Sequence, residues 1–97
     1  MLRFTSRVFG PVSIVKLAYN NGSLAVQLIS ESDGEDIATL SINLPEYAHQ
    51  LSVNEFFVKT YSENEEIARE ALASGVVQDT GARFQTGMGP VSIWRCR

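Results

Sequence analysis

The sequence predicts an α+β fold, in which an antiparallel sheet of five or six strands carries one main helix packed on one face. Three observations support this prediction. Apolar and polar residues alternate in the first half of the chain, turn-forming clusters divide that half into strands, and a single segment of the second half has helical spacing. A meander followed by a strand, a helix and two closing strands is typical of this fold class.

The first half predicts a three-stranded meander. Residues 12–19 are rich in β-branched and aromatic side chains and predict its first strand. The cluster at residues 20–22 predicts a tight hairpin turn, because Asn and Gly tolerate positive φ, and residues 24–30 predict the return strand. Residues 37–44 predict the third strand, since strict alternation of apolar and polar residues buries one face and leaves the other in water.

The second half predicts the helix. Residues 46–50 fit one helical turn or a loop, and residues 55–61 predict a fourth strand. Ser62 and Glu65 have the spacing of a capping box and predict that the helix begins at Ser62. Gly75 is expected to end it in the left-handed conformation. The apolar face at helical spacing consists of Ile67, Ala68, Ala71 and Leu72.

Two closing strands are predicted at residues 83–86 and 91–96. The motif Gly-Pro-Val-Ser-Ile occurs twice, at residues 10–14 and 89–93. The repeat indicates either an internal duplication that forms a symmetric binding edge, or two strands that each begin after the same kind of Gly-Pro turn. We favour the second interpretation.

Length and composition predict one domain over residues 1–97. A hydrophobic content of 44% and a net charge of −3 exclude a chain too polar to collapse. The single cysteine, Cys96, excludes an internal disulfide and favours a reducing compartment, so we expect a cytoplasmic protein. The acid-free start of the chain resembles an organellar transit peptide, but a first strand with exposed Arg3 and Arg7 is the favoured interpretation, because Gly10-Pro11 would break an amphipathic helix.

The sequence offers little material for catalysis, and we expect no enzyme. Cys96 and His49 form the only possible thiol–imidazole pair, and Cys96 lies where a chain tends to fray. Asp79-Thr80-Gly81 resembles the catalytic turn of retroviral-type aspartic proteases, but only 16 residues follow Gly81, too few for the remaining strands. We also predict no metal site and no cofactor, since one His and one Cys cannot complete a zinc site and the glycines at residues 87–89 lack a phosphate-binding pattern.

The acidic residues are the first candidate for binding a partner. All 11 lie between residues 31 and 79, whereas six of the eight basic residues lie outside that stretch. If the two ends meet in the fold, one side of the molecule is basic and the other acidic. The predicted partner-binding set comprises one helical stripe, Glu63, Glu66 and Glu70, and the turn acids Glu31, Asp33, Glu35 and Asp36. The alternative is an ordinary solvated helix face.

The terminal segments offer a second candidate surface, rich in arginine and aromatic residues. Such residues form single-stranded nucleic-acid platforms and dimer interfaces, but the aromatic ones are equally natural in a core. The acidic isoelectric point argues against direct binding of nucleic acid. A homodimer that uses these strands is therefore the alternative function, as a self-associating accessory domain. The set comprises Arg3, Phe4, Arg7, Phe9, Arg83, Phe84, Trp94, Arg95 and Arg97.

Several segments together resemble a family of small uncharacterised bacterial proteins carried by phages and plasmids. They are residues 19–28, 33–35, 38–44, 57–65, 73–77 and 80–81, so the resemblance covers residues 12–93 and leaves residues 1–11 outside. It implies a bacterial cytoplasmic location, no known enzyme activity and no catalytic residues. Small acidic phage proteins are often inhibitors of host defence, such as anti-CRISPR proteins. The leading hypothesis is therefore a non-catalytic inhibitor whose carboxylates bind a basic, nucleic-acid-binding surface of a host complex. We expect no membrane among its partners.

Overall fold

A computed structural model describes residues 2–87 and 89–97 of the chain. Within them the strands form two antiparallel four-stranded sheets, an N-terminal sheet of order β1-β2-β3-β4 and a C-terminal sheet of order β5-β6-β8-β7. The α+β class and the one main helix are confirmed, but the single sheet of five or six strands is wrong. The elements are β1 (Leu2–Ser6), β2 (Gly10–Ala18), β3 (Leu24–Ser30), β4 (Asp36–Thr39), β5 (Ser41–Ile42), a 3₁₀ segment (Pro45–Gln50), β6 (Glu55–Val58), a 3₁₀ turn (Ser62–Asn64), α1 (Glu65–Ser74), β7 (Val77–Thr86) and β8 (Gly89–Cys96).

The chain changes from one sheet to the other at Leu40. The Leu40 N–H donates to the Val26 carbonyl of the N-terminal sheet at 2.8 Å, and the Leu40 carbonyl accepts the Lys59 N–H of the C-terminal sheet at 2.8 Å. The predicted strand at residues 37–44 is therefore two strands. Alternation of apolar and polar residues does not reveal where one strand ends and the next begins, because Leu40 is buried at that point and the alternation continues unbroken across it.

Two apolar cores result from this arrangement. The larger one lies between the two sheets and α1, and it contains Phe4, Leu40, Phe56 and Trp94 among others. The smaller one lies on the other face of the C-terminal sheet, where Phe57 and its neighbours are covered from the 3₁₀ segment Pro45–Gln50 and the residues around it. In the predicted third strand, Ala38 and Leu40 pack on the larger core, whereas Ile42 and Leu44 pack on the smaller one.

The N-cap of the helix lies two residues later than predicted. Ser62 lies in the 3₁₀ turn, and the N-cap of α1 is Asn64, which makes no side-chain cap bond. The Asn64 side-chain amide instead donates to the Thr39 carbonyl at 2.8 Å and is almost fully buried. The capping box is thus wrong, because Ser62 adopts a φ of 59° in the 3₁₀ turn and is not the N-cap, and Asn64, which is the N-cap, uses its side chain for a tertiary contact with β4. At the other end Gly75 adopts a φ of 86°, so the left-handed C-cap is confirmed.

Both copies of the Gly-Pro-Val-Ser-Ile motif begin a strand. Gly10 opens β2 with a φ of 70° and Gly89 opens β8 with a φ of 110°, which are conformations that favour glycine. Part of the glycine-containing segment at residues 87–89 lies outside the described residues, namely Met88. The first residues of the chain form β1, whose Phe4 side chain is buried in the larger core.

Candidate protein-binding surface

The turn between β1 and β2, residues 7–9, is held in place by the side chains of Ser6 and Glu70. Ser6 Oγ donates to one Glu70 carboxylate oxygen at 2.8 Å, and the Arg7 backbone N–H donates to the other at 2.7 Å. Ser6 Oγ in turn accepts the backbone N–H groups of Val8 and Phe9, each at 3.2 Å. Because Glu70 lies on α1, this network joins the helix to the first hairpin and orders the turn.

The ordered turn presents two apolar side chains to solvent beside a group of carboxylates. Val8 is 74% exposed and Phe9 is 44% exposed. Both line an open groove of about 310 Å³ with residues of the β3–β4 turn, which lies at the same end of the N-terminal sheet. We call Val8, Phe9, Asp33, Glu35 and Asp36 the turn surface. Val8 is the member that the sequence analysis missed; its place in a three-residue turn before Gly10-Pro11 was the available signal.

Two of the predicted partner-binding carboxylates are engaged by cations of this chain. Glu31 accepts hydrogen bonds from Arg3 Nη1 at 3.2 Å and from Ser13 Oγ at 2.9 Å. Glu63 lies in the 3₁₀ turn, not on α1, and Lys59 Nζ donates to its Oε1 at 2.6 Å. The hydrogen bond from Lys59, followed by those from the Glu63 backbone and the Ser62 side chain, lowers the pKa of Glu63 to about 2.

The acidic residues of the predicted helical stripe therefore lie in different environments. Glu70 is half-buried and bonded to the first hairpin, whereas Glu66 is exposed and makes no hydrogen bond or ion pair within residues 2–87 and 89–97. Elsewhere on α1, Arg69 Nη2 lies 3.6 Å from Glu65 Oε1, at the favourable i,i+4 spacing. Of the seven predicted carboxylates, three line the groove, Glu70 supports the turn beside it, two are paired with cations and Glu66 stands alone.

The basic and aromatic set does not form an exposed platform. Phe4 and Trp94 are 6% and 4% exposed and belong to the larger core, and the Phe84 ring packs edge-on against Tyr47 at a centroid distance of 4.7 Å. Phe9 is the exposed aromatic of the set. Half of the basic residues expected on the basic side are also neutralised, because Arg3, Arg83 and Arg95 each lie within 4.0 Å of an acidic residue.

Cys96 and His49, the residues considered for catalysis, lie in different environments. Cys96 is 2% exposed, and burial raises the pKa of its thiol, an effect that nearby Lys16 only partly offsets. His49 is exposed on the 3₁₀ segment and contacts Gln50 at 3.1 Å. Among the hydrogen bonds of the described residues none joins Cys96 to His49. These two side chains are therefore not arranged as a nucleophile and its base.

Asp79 shapes a bulge in β7. Its carboxylate accepts the Gly81 N–H at 2.9 Å and pairs with Arg83 at 3.1 Å. Partial burial acts to raise the pKa of Asp79, but the bond from Gly81 and the Arg83 guanidinium outweigh it and hold the pKa below its ordinary value. Asp79 thus forms a turn beside glycine.

A second groove lies at the opposite end of the N-terminal sheet and was not predicted. It has a volume of about 580 Å³ and lies between the β2–β3 turn and the segment before β6. Exposed Leu17 and Val53 border it, and its acidic member, Glu55, is engaged by Arg95 and by the Ser52 N–H.

The described residues contain no group of three or more metal-ligating side chains and no helix long and apolar enough to span a membrane.

Comparison with known proteins adds no relative of this chain. No protein-family model, no curated protein and no solved structure matches it. The resemblance to small phage-borne proteins therefore stays a prediction, and the functional argument depends on the geometry of the turn surface.

Proposed function

We propose that this chain is a non-catalytic protein-binding module of a mobile genetic element. It inhibits a host defence assembly, such as a CRISPR surveillance complex, by covering a basic surface that otherwise holds nucleic acid. The observation that supports this proposal is the turn surface, in which exposed Val8 and Phe9 adjoin the carboxylates of the β3–β4 turn.

The turn surface has the anatomy of a small interaction site. Protein interfaces commonly combine an apolar centre, enriched in aromatic residues, with a polar rim. Phe9 is the apolar anchor, because it is the more enclosed of the two side chains and shares the groove with half-buried Ile37. The network of Ser6 and Glu70 fixes the turn before binding, which lowers the conformational entropy lost on association.

The charge of the turn surface favours a basic partner. Within the part of the chain that the structure describes, no Lys or Arg nitrogen lies within 4.0 Å of the carboxylates of Asp33, Glu35 or Asp36. Five other acidic residues are paired with cations of this chain. Three carboxylates without a cation of this chain thus lie together beside Phe9, and their negative charge accelerates association with a positively charged surface.

Affinity capture from a bacterial lysate containing CRISPR–Cas complexes tests this proposal. The baits are the wild-type chain, Phe9→Ser and the double reversal Asp33→Lys/Asp36→Lys, and the retained proteins are identified by mass spectrometry at low and high salt. The matched control is Glu46→Lys, which makes a charge reversal on the 3₁₀ segment. We expect the wild type and the control to retain a nucleic-acid-binding complex at low salt, and both turn-surface variants to retain at least tenfold less of it.

The retained complex is then purified and its binding of nucleic acid is measured with the added chain. Inhibition by the wild type and by Glu46→Lys, but not by Phe9→Ser, supports the proposal. Equal capture by all four baits, or retention of nothing besides the bait, contradicts it.

A further inference from the structure

The turn between β2 and β3 places an asparagine directly before a glycine at the surface of the molecule. Asn21 and Gly22 form the one Asn-Gly dipeptide of the sequence, and both residues are exposed. Gly22 has a φ of 87°, and nothing lies within 4 Å of the position that a Cβ atom would take there. The backbone nitrogen of Gly22 therefore has no side chain of its own and no packed neighbour on that side to hinder a reaction.

The backbone after Asn21 also prepares its side-chain amide for attack. The Ser23 N–H donates to Asn21 Oδ1 at 3.3 Å. When a nucleophile adds to Asn21 Cγ, negative charge develops on Oδ1, and a donor that is already in place stabilises that charge. The nucleophile next in the chain is the Gly22 nitrogen, and its attack closes a five-membered ring within the backbone.

We propose that Asn21 is a site of spontaneous covalent modification, at which the chain converts asparagine to aspartate and isoaspartate. The Gly22 nitrogen loses its proton to solvent base and bonds to Asn21 Cγ. The bond from Cγ to Nδ2 then breaks, and Nδ2 takes a proton from water and leaves as ammonia. Water opens the resulting cyclic imide. Cleavage between the ring nitrogen and Cγ gives aspartate, and cleavage between that nitrogen and the main-chain carbonyl carbon gives isoaspartate. The net reaction consumes one water, releases one ammonia and involves no oxidation or reduction.

The other four asparagines lack this combination of features. Asn64 is 1% exposed, and the side-chain oxygen of Asn43 is buried. Asn20 and Asn54 are exposed, but the residue that follows each of them carries a side chain beside the nitrogen that would attack. Asn21 is therefore expected to react first.

One hydrogen bond of the hairpin opposes the reaction. The Gly22 N–H donates to the Tyr19 carbonyl at 2.9 Å, and this bond has to open before the nitrogen can lose its proton. Exposed turns at the end of a sheet open locally at a small cost in free energy. Because base removes the proton, we expect the rate to increase in proportion to the hydroxide concentration.

Isoaspartate at this position changes both the backbone and the charge of the hairpin. It adds one carbon to the main chain inside the turn that the Tyr19 N–H closes by donating to the Ser23 carbonyl at 2.8 Å. Turn length determines the register of the strands, so the longer turn is expected to weaken this pairing. The new carboxylate lies at the second groove, whose other acidic member is Glu55. This inference does not depend on the proposed partner, because the β2–β3 turn and the turn surface lie at opposite ends of the N-terminal sheet.

Peptide mapping by mass spectrometry of the folded chain, kept at mildly alkaline pH, tests the proposal. Replacement of NH₂ by OH adds one mass unit, and we expect the peptide that contains Asn21 to gain it at least about tenfold faster than peptides with the other asparagines. Gly22→Ala places a methyl group beside the attacking nitrogen and is expected to slow the gain at least about tenfold. The matched control is Gly34→Ala, which makes the same change at a φ of 74° in the β3–β4 turn, also with nothing within 4 Å, and is expected to keep the wild-type rate.

The products distinguish this reaction from direct hydrolysis of the amide, which gives aspartate alone. Isoaspartate at position 21, detected by its methylation with an isoaspartyl methyltransferase, supports the proposal even if Gly22→Ala does not fold. No mass gain at Asn21, equal rates at all asparagines, aspartate as the only product, or a folded Gly22→Ala that reacts as fast as the wild type overturns it. The isoaspartate form, separated by anion exchange, is expected to unfold at a lower urea concentration than the unmodified chain, and equal midpoints contradict the effect on the hairpin.

Discussion

Glu70 lies on the helix, yet both of its carboxylate oxygens bond to the first hairpin. Spacing along the helix predicted a residue that faces a partner. The structure indicates a residue that acts through the turn it supports, because Ser6 and the Arg7 N–H take up its acceptor capacity. The spacing of residues along a helix predicted that Glu70 lies on the same face as Glu66. That spacing contains no information on which strand lies beside this face.

Glu70→Gln is expected to destabilise the chain and to loosen the turn. The amide of glutamine presents a donor where the carboxylate accepted a bond from Ser6 or Arg7, so we expect a loss of about 1 kcal/mol in the free energy of unfolding. Urea denaturation measures this loss, and the control is Glu66→Gln, one helical turn away at an exposed position. Equal effects of the two substitutions would show that the bonds to the hairpin contribute nothing.

The lowered pKa of Glu63 predicts how the free energy of unfolding depends on pH. Its pKa in the folded chain is about 2, below the ordinary value of 4.5, mainly because Lys59 bonds to the charged form. The stabilisation of the fold by the charged Glu63 carboxylate is therefore complete above about pH 4.5 and is lost as the pH falls toward 2. Carbon NMR titration of the Glu63 carboxyl is expected to give a midpoint near 2 in the wild type and a clearly higher one in Lys59→Met. An unchanged midpoint contradicts this cause.

Strands defined by alternation and by turn residues were predictable from sequence. Residues 24–30 match β3, and residues 12–19 match β2 with small shifts at both ends. What was not predictable is the division of residues 37–44, because hydrogen bonds to Val26 and Lys59 decide it and both residues are remote in sequence. The helix start was missed for a similar reason, since the bond from Asn64 to the remote Thr39 carbonyl accompanies a 3₁₀ turn at residues 62–64 in place of the predicted first helical turn.

Ser41 stabilises the crossing between the sheets. Its Oγ accepts the buried Val26 N–H at 2.9 Å and lies 2.7 Å from the Tyr19 hydroxyl. Ser41→Ala leaves that N–H without a partner and is expected to cost about 1–3 kcal/mol of folding free energy. The matched control is Tyr19→Phe, which removes only the hydroxyl contact and is expected to cost about 0.5–1.5 kcal/mol. Thermal or urea denaturation compares them, and a cost for Tyr19→Phe as large as that of Ser41→Ala contradicts this role.

The distribution of charge over the whole molecule was only partly predictable. The sequence separates acidic from basic segments, but the fold brings Arg3 to Glu31, Arg83 to Asp79 and Arg95 to Glu55. Composition along the chain cannot reveal these pairs, because sheet register determines two of them across long stretches of sequence. The acids of the β3–β4 turn were predicted as candidates, and their position beside an exposed apolar turn was not.

The first strand is expected to be indispensable, although the resemblance to phage-borne proteins leaves residues 1–11 outside. Phe4 is 6% exposed in the larger core, and burial of such a side chain contributes about 1.5–3 kcal/mol. Removal of residues 2–9 also exposes the β2 edge and removes the partner of Glu70. Because small domains are stable by only about 5–15 kcal/mol, we expect the shortened chain to lose its cooperative thermal transition in circular dichroism, whereas Phe9→Ser keeps it. Cooperative melting of the shortened chain contradicts this expectation.

Because the backbone of Leu40 bonds to Val26 on one side and to Lys59 on the other, an opening of either sheet disturbs the other. The bond from Leu40 to Val26 and the bond from Lys59 to Leu40 share one residue, so a fluctuation that frees either one strains its neighbour. We therefore expect the two sheets to unfold as one cooperative unit. The amides of Leu40 and Lys59 should then exchange with solvent through openings of the same free energy, although the Leu40 N–H bonds to the N-terminal sheet and Lys59 directly follows β6 of the C-terminal sheet.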